Sequence, residues 1–140
     1  MTTGTAGYSG TPLVKKLGIG PDARIATYGI PDHYWALLGE LPPGARPASA
    51  RDADIEFSHV FATRRDDLLE GLEAARRRMS QDGMIWLSWP KKGSGVETDL
   101  DGNVVRGIGL DSGLVDVKVC AVDDTWSGLK FVIRIEDRRA

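Results

Sequence analysis

The chain is poor in the residues that build disulfides and transition-metal sites. It has one cysteine, Cys120, and two histidines, His33 and His59, in 140 residues. A single thiol excludes an internal disulfide framework and a Cys-based zinc site, and two distant imidazoles without companions do not make a metal-binding set. No metal is expected. A large charge imbalance is also missing. The formal net charge is −2, whereas neutralising nucleic-acid phosphates takes a clear basic excess, so nucleic acid is not an expected partner. No apolar run approaches the ~20 residues that a bilayer-spanning helix needs. The opening MTTGTAGYSG has neither the basic n-region nor the apolar h-region of a secretory signal. The expectation is a soluble cytoplasmic protein with no membrane partner. Neither GxGxxG nor GxxxxGK[ST] occurs. The usual glycine-rich cradles for dinucleotides and nucleoside triphosphates are therefore absent, and no cofactor is expected.

What remains is an ordinary globular composition, 41% hydrophobic and 27% charged, in a length that suits one domain. Residues 1–10 read as a flexible N-terminal tail, residues 11–136 as a single domain and residues 137–140 as a polar C-terminal tail. Thr11 reads as an N-cap with Pro12 at the first helical position, Leu13, Val14 and Leu17 as an apolar stripe, and Gly18 as the C-cap. A first strand is expected at 23–28, a short helix at 33–38, and at most a weak edge strand in the proline-rich 41–50. Ile55, Phe57, His59 and Phe61 alternate with Glu56, Ser58 and Val60, the period of a strand. Leu68, Leu69, Leu72, Ala75 and Met79 recur at helical spacing after a capping pair, Thr63 and Asp66. A second capping pair, Thr98 and Asp101, precedes a helix that Gly102, Gly107 and Gly109 should loosen. Two strands close the chain, 114–122 and 129–135, the first presenting Val115, Val117, Val119 and Ala121 on one face. The joint between them has the length of a long hairpin loop.

The most telling stretch is 83–95, GMIWLSWPKKGSG. Met84 to Leu87 form a short apolar run without helical spacing, as in a strand buried on both faces. A cationic, glycine-rich loop follows directly. Strands alternating with helices point to an α/β fold: a three-layer, mostly parallel, Rossmann-like sheet with a C-terminal antiparallel strand hairpin. In such a sheet the loops after each strand meet at one rim, where open sheets bind ligands.

At that rim Lys91 and Lys92 offer donors for phosphate or carboxylate, and the loop around Ser94 lets backbone N–H groups approach an anion. Asp123 and Asp124 can accept from hydroxyls, hold a cation or act as base. Trp89 and Trp126 can stack on a flat ring or on the lysines. The competing reading is structural, with Lys91 paired to Asp123 or Asp124 to pin the hairpin. His33 lies near the same rim, while His59, inside a strand, reads as a satisfied core histidine.

The segments GYSGTPLVKKLGI, SWPKK with SGV and TDL, and GLVDVKVCAVDDTWSGLKFV resemble a small bacterial family of unknown function, and the element order resembles a shortened methyltransferase-like Rossmann fold. The resemblance implies that fold and a bacterial setting, and no activity. The loop after the first strand, TYGIPDHY, has one glycine where dinucleotide- and adenosylmethionine-binding loops need several, so a methyltransferase with the usual cofactor pose is not expected. The expectation for function is a non-catalytic or regulatory binding module, taking a small anionic ligand or a protein partner at the rim. The alternative is a small enzyme acting on a phosphate- or carboxylate-bearing substrate, with Lys91 and Lys92 as clamp and Asp124 or His33 as base. A homodimer joined through the terminal hairpin edge is a third candidate. The catalytic residues stay unassigned.

Overall fold

A computed structural model describes residues 11–139. The tail expected at 1–10 and the last residue of the chain lie outside the described residues. Six strands form one sheet in the order β2-β1-β3-β4-β6-β5. They are β1 (Arg24–Tyr28), β2 (Arg46–Pro47), β3 (Ile55–Phe61), β4 (Met79–Pro90), β5 (Leu114–Ala121) and β6 (Trp126–Ile133). β1, β2, β3 and β4 pair in parallel, and β6 runs antiparallel to both β4 and β5. α1 (Leu13–Leu17) and α2 (Tyr34–Leu38) cover one face, while α3 (Arg65–Arg78) and α4 (Gly102–Asp111) cover the other. This is the expected three-layer Rossmann-like sheet with its antiparallel hairpin.

Each face has its own core. Leu68, Leu72, Ala75, Val105 and Ile108 pack with Ile85, Leu87 and Phe131 on the α3–α4 side. Leu13, Val14, Leu17, Tyr34 and Leu38 pack with Phe57, Phe61 and Trp86 on the α1–α2 side. Trp86 is fully buried, and its indole N–H donates to the Leu17 carbonyl at 2.9 Å. That bond fixes the C-terminus of α1 on the central strand and satisfies the one polar atom of the ring.

Several local expectations are corrected. α1 starts after Pro12, with no side-chain cap from Thr11. The first turn of α3 is held from outside: Arg65 N–H donates to the Asp99 carboxylate at 2.7 Å, and no side chain at its N-cap residue, Arg64, does the work expected of Thr63 and Asp66. α4 is capped by Asp101, which accepts from Val104 N–H at 2.8 Å, while Thr98 Oγ1 donates to the Thr63 carbonyl. β4 begins at Met79, four residues early, because α3 passes directly into extended backbone.

β6 starts at Trp126, so the hairpin turn is shorter than the expected loop. The valine face of β5 is not a core face. Val117 and Val119 are 58% and 69% exposed, and Leu114 and Cys120 are buried in their place. A bulge between Asp116 and Lys118 breaks the alternation and turns the strand at the sheet edge, where bulges and charges commonly blunt an edge against further pairing.

Candidate functional site

The chain leaves β1 for β2 on one side of β1 and returns to β3 on the other. The carboxyl ends of β1 and β3 therefore form the topological switch point, where open α/β sheets leave a crevice between diverging loops. A crevice of about 530 Å³ lies there, walled by Tyr28, Gly29, Phe61, Thr63, Asp67, Glu70 and Trp126. Gly29 has φ +68°, and a Cβ at that position would run into the Phe61 carbonyl oxygen. The two strand ends approach this closely because the residue is glycine. Trp126 meets Phe61 edge to face, with ring centroids 5.0 Å apart. One indole edge is thereby fixed at the mouth of the crevice.

The loops around the crevice are laced together. Lys91 N–H donates to the Thr125 carbonyl at 2.7 Å, joining the β4 loop to the hairpin turn. Asp99 N–H and Thr98 Oγ1 both donate to the Thr63 carbonyl, joining the segment before α4 to the β3–α3 loop. His33 Nε2 lies 3.0 Å from Asp123 Oδ2, joining the β1–α2 loop to the same turn. Asp123 Oδ1 accepts from Thr125 N–H and Trp126 N–H, both at 2.8 Å. Burial alone would raise the Asp123 carboxyl, but His33 and these two N–H donors outweigh it and hold it below the usual carboxylate range. The result is a fixed anion that orients an imidazole whose side chain is 55% exposed.

Of the residues singled out in the sequence, Lys91, Asp123 and Trp126 are brought together at the rim. Lys92 and Ser94 lie in a 3-10 turn beside them (Lys92–Ser94), with Lys92 exposed and Ser94 Oγ accepting from Val96 N–H at 3.2 Å. Asp124 is exposed on the hairpin turn. Trp89 is buried in the α3–α4 core, its ring against Gly102. The hairpin is pinned by a Lys91 backbone bond and by His33 on Asp123. Sequence reasoning did not pair His33 with Asp123, which are 90 residues apart, and it missed Tyr28, Asp67 and Glu70 as walls. The alternation through β3 does place Phe61 at the strand's carboxyl end, and that signal was available.

His59 is fully buried. Its Nδ1 lies 3.0 Å from the Tyr34 hydroxyl and its Nε2 2.7 Å from Ser88 Oγ. A neutral imidazole has one donor and one acceptor nitrogen, so one hydroxyl donates to the ring and the other accepts from it. Burial lowers the His59 pKa to about 3 and raises that of the Tyr34 phenol. His59 also stacks on Phe61, centroids 4.3 Å apart, beneath the crevice wall.

A larger groove of about 950 Å³ runs along the α1–α2 face. Its walls are mostly Leu, Val and Pro side chains, with Lys15, Lys16 and Glu40 as the charged groups. Among the described residues, no group of three or more His, Cys, Asp or Glu side chains is disposed to hold a metal ion, and no helix is long and apolar enough to cross a membrane.

No protein-family model matches the chain, and neither does any curated protein. Solved structures do. A SAM-dependent methyltransferase from Aquifex aeolicus superposes with a TM-score of 0.62 at 12% identity, covering 85% of this chain and 86% of that one. A TehB-like SAM-dependent methyltransferase from Corynebacterium glutamicum gives 0.58 at 11% identity, covering 92% and 91%. A ribosomal protein L11 methylase from Lactobacillus delbrueckii subsp. bulgaricus gives 0.52 at 12% identity, covering 91% and 75%. The fold is the methyltransferase-like Rossmann fold.

Proposed function

We propose that the protein is a binding module, non-catalytic or regulatory, that takes a small anionic ligand with a flat apolar part in the crevice between β1 and β3. The observation that carries this reading is the coincidence of the crevice with the topological switch point. Around it, hydrogen bonds join the β4 loop and the β1–α2 loop to the hairpin turn, and the segment before α4 to the β3–α3 loop. Trp126 offers a face or edge for the flat part. The charged walls inside the crevice are the carboxylates of Asp67 and Glu70, so the anionic group of the ligand is read at the mouth, towards Lys91 and Lys92 on the neighbouring loop.

The residues do not fit SAM in the pose that doubly wound folds give a nucleoside. The single glycine of the β1 loop is used up by contact with β3. The end of β2 carries Arg46, Pro47 and Ala48, none of them a carboxylate to accept from ribose hydroxyls. The fold is shared with those enzymes, while among the described residues these positions do not supply the groups that would hold that cofactor in this pose.

The test is thermal stability across a panel of phosphate- and carboxylate-bearing metabolites, with SAM included. A stabilising compound should lose its effect in Trp126→Ala and weaken about tenfold in Lys92→Ala, both variants keeping the native circular dichroism. Equal stabilisation of wild type and Trp126→Ala would overturn the reading. Stabilisation by SAM alone would overturn the misfit.

A second reading, a small enzyme acting on an anionic substrate, is favoured by one contact. His33 held by a backbone-anchored Asp123 is the geometry of an acid–base pair. Turnover of a bound metabolite that disappears in His33→Gln, with binding retained, would select it.

A further inference from the structure

The pole opposite the rim carries a second polar cavity, of about 350 Å³. It is walled by Arg76 at the end of α3, Gln81 in β4, Gly113 before β5, Ile133 at the end of β6, and Asp137 and Arg139 near the chain terminus. Several other arginines of the sheet and helices have acceptors. Arg24 pairs with Glu56, Arg77 with Glu73 and Arg106 with Asp116. Arg78 donates to the Asp52 and Ser49 carbonyls and to the Tyr28 hydroxyl.

Arg76 differs. Its Nε is buried and has no hydrogen-bond partner. A guanidinium stays charged at any physiological pH, and a buried donor without an acceptor is costly unless something supplies one. Among the described residues no carboxylate pairs with Arg76 or Arg139. The Gln81 Oε1 accepts from Arg139 N–H at 2.8 Å, which leaves the Gln81 amide NH2 as a further donor on the wall. Asp137 also lines this cavity, so its wall carries two arginines against one carboxylate, while on its other side Arg76 borders a second pocket with Glu70, Glu73 and Asp111 on its walls.

We propose that this cavity is a binding site for a small oxyanion, a phosphate or a carboxylate, held by the guanidinium groups of Arg76 and Arg139 with Gln81 as a neutral donor. Planar guanidinium forks match the paired oxygens of such groups, which a spherical halide does not offer. The site lies at the amino ends of the parallel strands, away from the crevice, and stands or falls independently of the reading given to the rim.

The test uses inorganic phosphate and acetate as probes in thermal melts, with sodium chloride at matched ionic strength as the reference. Wild type should show a saturable rise in Tm with one or both probes. A response to phosphate alone makes the natural ligand a phosphate, and to acetate alone a carboxylate. Arg76→Met should abolish the response while leaving the Tm in chloride unchanged or higher, since the unpaired donor is gone. Arg76→Lys covers the case in which Arg76→Met fails to fold, and should weaken the response about tenfold through loss of the fork. Arg77→Gln, on the exposed side of α3, should respond as wild type does. No response to either probe, or an undiminished response in the Arg76 and Arg139→Gln variants, would overturn the proposal.

Discussion

At the scale of single residues, His59 is the group whose chemistry is most constrained. It spans the core between Tyr34 and Ser88 as a neutral ring. Its pKa is about 3 in the fold against 6.5 for an unperturbed histidine. Between those values the unfolded chain binds one more proton than the native state, so stability falls as pH drops below about 6.5, at up to about 1.4 kcal/mol per pH unit. The stabilising neutral form is fully favoured above that pH. Thermal melts between pH 7 and pH 5 should therefore show a steep loss in wild type. The loss should be flatter in His59→Gln, whatever the absolute stability of the variant. Parallel pH profiles would place the protonation elsewhere. The window stays above the acid range in which Glu56, held down to about 2 first of all by its hydrogen bond from Arg24, begins to contribute.

At the scale of elements, α4 shows why residue type alone misleads. Its glycines mark it as a weak helix, yet Gly102–Asp111 is helical with an Asp101 cap. Gly109 is small because Phe131 of β6 packs against that turn, where an added Cβ would overlap the ring, whereas Gly107 faces open space. The two positions should respond with opposite sign. Gly107→Ala should stabilise by about 1 kcal/mol through helix propensity. Gly109→Ala should destabilise by about 1–3 kcal/mol through overpacking against Phe131. Urea titrations of the two variants check both signs, and a stabilising Gly109→Ala would show that the helix shifts freely on the sheet.

The same contrast explains what was legible. The spacing of Leu68, Leu72 and Ala75 reports burial, although Leu69, read with them, is 41% exposed. Ile55, Phe57, His59 and Phe61 are buried, but so are Ser58 and Val60 between them, because β3 is covered on both faces. Both elements stand where expected. The valines of β5 keep the same alternation, but a bulge and an edge position reverse its meaning, and neither leaves a mark in the residue pattern. The Trp126-Ser127-Gly128 run has turn-like composition. It is strand because it pairs with the ends of β4 and β5, and Gly128 leaves room for Trp86 and Ser88 beside it.

At the scale of the whole molecule, the rim follows from topology once four strands are parallel, which is why Lys91, Asp123 and Trp126 could be placed near one another from sequence. The particular contacts, His33 on Asp123 and Phe61 on Trp126, depend on side-chain directions that chain order does not encode. The central claim is that the β1–β3 crevice holds a small ligand. Its most direct test is the native mass of freshly purified protein beside its denatured mass, for wild type and for folded Trp126→Ala. Wild type should carry a defined non-covalent adduct that is lost in the variant. A bare mass for wild type, or the same adduct on both proteins, would contradict it.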